Sequence, residues 1–193
     1  MPDEPRRRRS DAQRNTASLL AAAKAVFAAS GVDAPAKEIA DLAGVGVGTL
    51  YRHFPQRSDL IKAVLEQEID ACAAAAPTLA AAHDPGTALE QWLRQYTRFL
   101  GAKRGFAAAL HSGDPAFDAL PGYFFERVAP ALASLLEAAA AAGEIRADLS
   151  ARDLLSAIAL LCRPVSGGGP DYSQRMVAVL VDGLRYRAAT GRD

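Results

Sequence analysis

Apolar residues return along this chain with helical spacing and almost never alternate. Leu19, Leu20, Ala23, Val26 and Phe27 fall at i, i+1, i+4, i+7 and i+8, the stripe of an amphipathic helix, and Ser30-Gly31 stops it. Pro35 opens a second, short helix at the position where its missing N–H costs nothing, with Asp33 expected as its cap. That helix is expected over Ala36 to about Ala43, with Ile39, Ala40 and Ala43 inward and Gly44 ending it. A third covers about Val47–His53, with Leu50 and Phe54 inward, and Pro55 breaks it. Ser58 is expected to cap a long fourth helix through Leu60, Ile61, Val64, Leu65, Glu68 and Cys72, ending before Pro77.

Asp84-Pro85-Gly86 starts the next helix, which carries Leu89, Trp92, Leu93, Tyr96, Phe99 and Leu100, and Gly101 to Gly105 marks a break or bend. A short helix is expected over about Gly105–His111, and Pro121-Gly122 reads as a turn. A long helix over about Tyr123–Ala142 carries Val128, Leu132, Leu135 and Leu136. Leu149-Ser150 caps a helix to about Cys162, residues 164–170 read as a linker, and the last helix spans about Asp171–Thr190. The pattern predicts about nine helices, no strand and no internal repeat.

Composition strengthens this reading. Of 193 residues, 43 are Ala, against 10 Val, 5 Ile and 6 Thr. The best helix former therefore outnumbers the usual strand residues about two to one, which predicts an all-α fold. No run of 18 apolar residues suggests a membrane span, and the Ser-Asp-Ala-Gln that follows Arg6–Arg9 is no signal-peptide core. Cys72 and Cys162, 90 positions apart, suggest neither a disulfide framework nor a zinc framework. The expectation is a soluble cytoplasmic protein with free thiols.

Net charge is zero, but it is unevenly spread. Residues 5–57 hold nine basic side chains against four acidic ones, a net charge of +5, whereas residues 61–193 hold 13 against 15. A basic N-terminal third points to a polyanion at one end only. Arg6, Arg7, Arg8 and Arg9 are expected to form a flexible arm along DNA, or else a solvated tail. Nucleotide, metal and nucleophile signatures are missing. Gly44-x-Gly46 is followed by Thr49 where a third glycine would stand, the glycines at 167–169 have no following Lys, and His53, His83 and His111 have no ligand spacing. No catalytic residue, cofactor or metal is expected.

The informative segment is Ala36–Phe54, AKEIADLAGVGVGTLYRHF. Two short helices joined by a glycine turn, behind a supporting helix, make a helix-turn-helix unit whose second helix enters a DNA groove. Its outward start must be small or polar, which Gly46, Val47, Gly48 and Thr49 satisfy. Together with the helix Leu19–Gly31, the run Ile39–Ile61 (IADLAGVGVGTLYRHFPQRSDLI) resembles the TetR family of transcriptional regulators. The resemblance covers about residues 14–65. It implies a phosphate contact near Lys37, base-edge approach by Gly46, Val47 and Thr49, and phosphate contacts by Tyr51, His53 and Arg57. Arg52 could reach a phosphate or a guanine. Ala34-Pro35-Ala36 stands where many members carry Ser or Thr, so one hydroxyl–phosphate contact is missing.

The resemblance further implies a small-molecule pocket in the rest of the chain and a two-fold helical interface. Trp92, Tyr96, Phe99, Phe106 and Phe124 are candidates for core or pocket, with Tyr96, His111 and Arg127 as candidate polar groups facing it. Leu154, Leu155, Ile158 and Leu161, with Met176, Val179, Leu180, Gly183 and Leu184, form stripes on the last two helices and are expected to dimerise. The expected organisation is an arm at 1–10, a helix-turn-helix domain at 11–57 and a ligand-binding and dimerisation domain at 58–193. The expected protein is a dimeric repressor released from a palindromic operator by a largely apolar small molecule. An activator, a ligand-independent regulator and, further off, a helical interaction module remain as alternatives.

Overall fold

The computed structural model describes residues 4–163, 165 and 171–186. Among them are nine α-helices and no strand. The first five are α1 (Glu4–Ser30), α2 (Ala36–Ala43), α3 (Val47–His53), α4 (Arg57–Ala82) and α5 (Pro85–Lys103). There follow α6 (Ala107–Leu110), α7 (Leu120–Ala141), α8 (Ala151–Leu161) and α9 (Tyr172–Tyr186). Short 3-10 turns sit at Arg104–Phe106 and Pro115–Phe117.

The chain packs as two compact units, one of residues 1–67 and 102–120, the other of residues 68–101 and 121–193. In the first, Leu19, Ala23, Val26 and Phe27 of α1 are buried with Ile39 and Ala40 of α2, Leu50 of α3 and Leu60, Ile61, Val64 and Leu65 of α4. Each large apolar side chain in such a core contributes about 1.5–3 kcal/mol by leaving water. Phe106 is buried here too, its ring edge-on to Phe27 at 5.8 Å. In the second unit Trp92, Leu93 and Tyr96 of α5 are buried with Val128, Leu132 and Leu135 of α7 and Leu155 and Ile158 of α8. Arg146 N–H donates to the Leu184 carbonyl (2.9 Å), which ties the α7–α8 loop to α9. Glu144, in the same loop, accepts from the Gly86 N–H at 3.1 Å and so caps the start of α5 from 58 residues away.

Several local expectations change. The backbone is helical from Glu4, so residues 4–10 are not an irregular arm; Arg is a good helix former, and Pro5 suits a first turn. Asp33 does not cap α2: Pro35 holds that position, with no side-chain hydrogen bond. Ser58 does not cap α4; the Asp59 carboxylate accepts from the Gln56 N–H at 3.0 Å, one half of a capping box. Helix α4 continues through Pro77 to Ala82. Alanines on both sides supply the highest helix propensity, which outweighs a single interior proline. Helix α5 runs through Gly101, and Pro121-Gly122 lies in the first turn of α7 instead of a loop, where the missing proline N–H costs nothing. The expected helix at 105–111 divides into a 3-10 turn and α6. Residues 164, 166–170 and 187–190, the expected linker and helix end, lie outside the described residues.

Candidate nucleic-acid interface

Helix α2 ends because Gly44 takes a left-handed conformation (φ 71°) that a side chain would oppose. The Val45 N–H then bonds back to the Ala40 carbonyl at 3.0 Å, closing the turn. Gly46 is the N-cap of α3, its carbonyl accepting from Thr49 N–H at 2.8 Å. Leu50 and Phe54 point into the core, which sets the opposite side of α3 outward. Tyr51 is 52% exposed, and Gly48 and Arg52 are exposed. A Cβ added at Gly46 or Gly48 would meet no atom within 4 Å. Val47 and Thr49 are half-buried.

The other residues assigned to DNA by resemblance divide. Lys37 is exposed on α2 and pairs with Asp41 at 2.6 Å. Such a surface pair is worth about 0–1 kcal/mol, so a phosphate can replace it. His53 is half-buried, with its Nδ1 3.2 Å from Thr16 Oγ1 on α1; no motif at Thr16 signals this. Arg57 departs from expectation. Its Nη1 and Nη2 donate to the carbonyls of Val32 and Ala34, and its guanidinium lies 6.0 Å from the Phe27 ring. It is folded onto the α1–α2 turn, not held out toward solvent. The side chains of Arg6, Arg7, Arg8 and Arg9 lie outside the described residues. Leu42 of α2 is 60% exposed and lies outside the inward set Ile39, Ala40 and Ala43.

The expected pocket residues divide between the two units. Phe106 and His111 belong to the first unit, where Phe106 is core and the exposed His111 bonds its own helix through the Ala107 carbonyl at 2.7 Å. Trp92 and Tyr96 are core of the second. The Trp92 indole N–H donates to the Cys72 carbonyl (2.9 Å) and the Tyr96 hydroxyl to the Leu155 carbonyl (3.2 Å). Burial pushes the Cys72 thiol up to about 12, with the nearby Glu68 charge adding to it. Phe99 and Phe124 are half-buried and stack nearly parallel, centroids 6.2 Å apart. Arg127 is exposed, with its guanidinium 5.7 Å from the Tyr123 ring. Its Nε and the Tyr123 hydroxyl both donate to Asp70 Oδ1 at 2.8 Å, joining α7 to α4, and these contacts hold the Asp70 carboxyl below the usual carboxylate range. The pockets described in this unit, about 240 and 400 Å³, are lined instead by α5 and α9 residues such as Glu90, Arg94 and Arg98.

The expected dimer stripe divides likewise. Leu154, Leu155, Ile158 and Leu184 are buried within the second unit itself, so they offer no surface to a partner. Their apolar area is already used in packing α8 and α9. Val179 is 64% exposed, Leu160, which the stripe omitted, is 65% exposed, and Gly183 is exposed. Leu161, Met176 and Leu180 are half-buried.

A short helix, a glycine turn and a second short helix with a small and polar outer face, backed by α1 and α4, define a helix-turn-helix protein. Comparison with known proteins narrows this. Residues 19–64 match the profile "Bacterial regulatory proteins, tetR family", and residues 84–186 match "Transcriptional regulator SbtR-like, C-terminal domain". The crystal structure of the TetR transcriptional regulator SCO0520 from Streptomyces coelicolor is 37% identical, covering 88% of this chain and 98% of that one, with a TM-score of 0.73. A TetR regulatory protein from Mycobacterium vanbaalenii is also 37% identical, covering 92% and 98%, with a TM-score of 0.72. The HTH-type transcriptional regulator SAR0097 of Staphylococcus aureus (strain MRSA252) is 37% identical over 73 residues, which is 36% of this chain and 38% of that protein. This chain belongs to the TetR family of transcriptional regulators. Such regulators are DNA-binding transcription factors, not enzymes, and membership implies operator binding and dimer formation in general. No helix among the described residues is long and apolar enough to cross a membrane.

Proposed function

We propose that this protein is a repressor that binds a palindromic operator as a homodimer and is released when a small molecule occupies its second unit. The observation that carries the DNA reading is the outer face of α3. Gly48, Tyr51 and Arg52 stand exposed there, and open space surrounds the two glycine positions at the start of the helix. A groove can approach that backbone closely, with Thr49 and Val47 able to meet base edges and Tyr51, Arg52 and Lys37 able to meet phosphates. The exposed apolar positions Val179 and Leu160 support self-association, and two-fold symmetry would set two recognition helices about one turn of DNA, roughly 34–36 Å, apart.

The half-buried Phe99 and Phe124 support an apolar effector site in the second unit. Helix α4 carries the release. It bears Leu60 and Ile61 of the DNA-binding core near one end and Asp70, held by α7, further along. An effector that favours a different setting of α4 shifts the population away from the operator-binding spacing, and a coupling of about 1–3 kcal/mol suffices. Fluorescence anisotropy on a labelled duplex from upstream of the protein's own gene, at two salt concentrations, tests the DNA reading. Tight, salt-sensitive binding at two protomers per site is expected. Equal, weak binding to every duplex, persisting after selection from a random-sequence pool, would rule out operator recognition.

A further inference from the structure

Arg57 sits at a position where the family resemblance implies a phosphate contact, but its side chain is already engaged. One guanidinium donates to two backbone carbonyls, Val32 O through Nη1 and Ala34 O through Nη2. Both acceptors belong to residues that are buried, 7% and 4% exposed. A buried carbonyl without a partner is costly, so this turn depends on an outside donor. Residues 34–36 carry no hydroxyl that could donate to these carbonyls locally. The planar fork of Arg suits two acceptors at once, while the ammonium of Lys is a point charge. The guanidinium is further held 6.0 Å from the Phe27 ring, and Phe27 is core.

We propose that Arg57 is a positioning residue for DNA binding: it clasps the α1–α2 turn to the start of α4 and so sets the N-terminal end of α2, where Lys37 stands, in place for the DNA backbone. This rests on the DNA-binding reading above. The clasp and a direct phosphate contact make opposite demands on the chemistry at position 57. A phosphate contact needs a positive charge. A clasp needs two coplanar N–H donors.

The test compares Arg57→Lys and Arg57→Met with the wild type in the full-length protein. It uses a duplex that the wild type selects from a random-sequence pool, together with amide hydrogen exchange of the free protein. The clasp predicts that both variants bind DNA at least about tenfold more weakly, because Lys restores the charge without the fork. It also predicts faster exchange at the amides of Ala34 and Glu38, which close the turn through Gly31 and Pro35 carbonyls. Wild-type affinity in Arg57→Lys overturns the proposal, since charge alone then suffices. So do weaker DNA binding with unchanged exchange in both variants, and wild-type affinity in both. A measurement on the unaltered protein guards against variants that fail to fold. Arginine side-chain NMR of the free wild type should show the Arg57 Nη protons in slow rotation and slow exchange, and a freely rotating guanidinium overturns the clasp. If the wild type selects no sequence, the DNA-binding reading fails and positioning fails with it. If the wild type selects an operator and only the Arg57 results contradict the clasp, this inference alone fails.

Discussion

Tyr51 and Tyr96 are the same residue on helices of one chain, put to opposite use. Tyr51 stands 52% exposed on α3, its phenol directed away from a core that Leu50 and Phe54 already fill. Tyr96 is 1% exposed on α5, its hydroxyl bonded to the Leu155 carbonyl and its ring stacked between Trp92 and Phe124. The face of α3 keeps its polar groups available to a partner. The buried face of α5 satisfies its own internally, and burial pushes the Tyr96 phenol well above its ordinary range. A side chain whose polar end is bonded inside the protein contributes to stability, and one left open is available for recognition.

Substitutions sharpen or break this contrast. The largest effect should come from Trp92→Ala, which removes a fully buried indole and its bond to the Cys72 carbonyl; chemical denaturation should show a loss of about 3–5 kcal/mol. Tyr96→Phe keeps the ring and deletes one donor, so the loss should be about 1–3 kcal/mol by the same measurement. Tyr51→Phe should leave stability within about 0.5 kcal/mol and show its effect only as weaker DNA binding in anisotropy titrations. A Tyr51→Phe loss as large as that of Tyr96→Phe would break the contrast. Gly48→Ala should stabilise by about 0.5–1 kcal/mol, since an exposed helical glycine gains propensity and its Cβ meets nothing, while weakening close approach to DNA.

The smallest effect should be a pH dependence carried by Asp70. Its folded carboxyl titrates below the unfolded value, chiefly through the bond from Arg127. The stabilisation is therefore present above the unfolded pKa of about 3.9 and is lost as pH falls through the folded one. Denaturation of wild type and Asp70→Asn should differ at pH 6 and converge near pH 2. The difference should be slight, because both partners are substantially exposed and water screens the pair.

The helices of the first unit were legible because their signals are local. Gly44 needs its left-handed conformation, Pro55 cannot continue a helix, and Leu50 lies at the spacing that faces α1 and α2. Signals that depend on distant residues were not legible. The acceptors of Arg57 are backbone carbonyls 23 and 25 residues away, and carbonyls have no sequence identity to read. Phe106 carries the same aromatic ring as Phe99, yet only packing assigns it to Phe27. The α8 and α9 stripes showed that Leu155 and Val179 are apolar but not which side of each helix the chain itself covers. Pro77 signals a stop by a rule that surrounding alanine overrides.

Gly86 and Glu144 bear on how this sequence can evolve. A Cβ at Gly86 would lie 2.1 Å from Glu144 Oε2, the far end of a flexible side chain. Alanine at 86 is therefore not forbidden, but it evicts the carboxylate that caps α5, so the change is harmful while Glu144 remains. In a background that has already lost the carboxylate, as in Glu144→Ser, the same alanine finds the space open. The two positions are epistatic, and the route that changes 144 before 86 is favoured over its reverse.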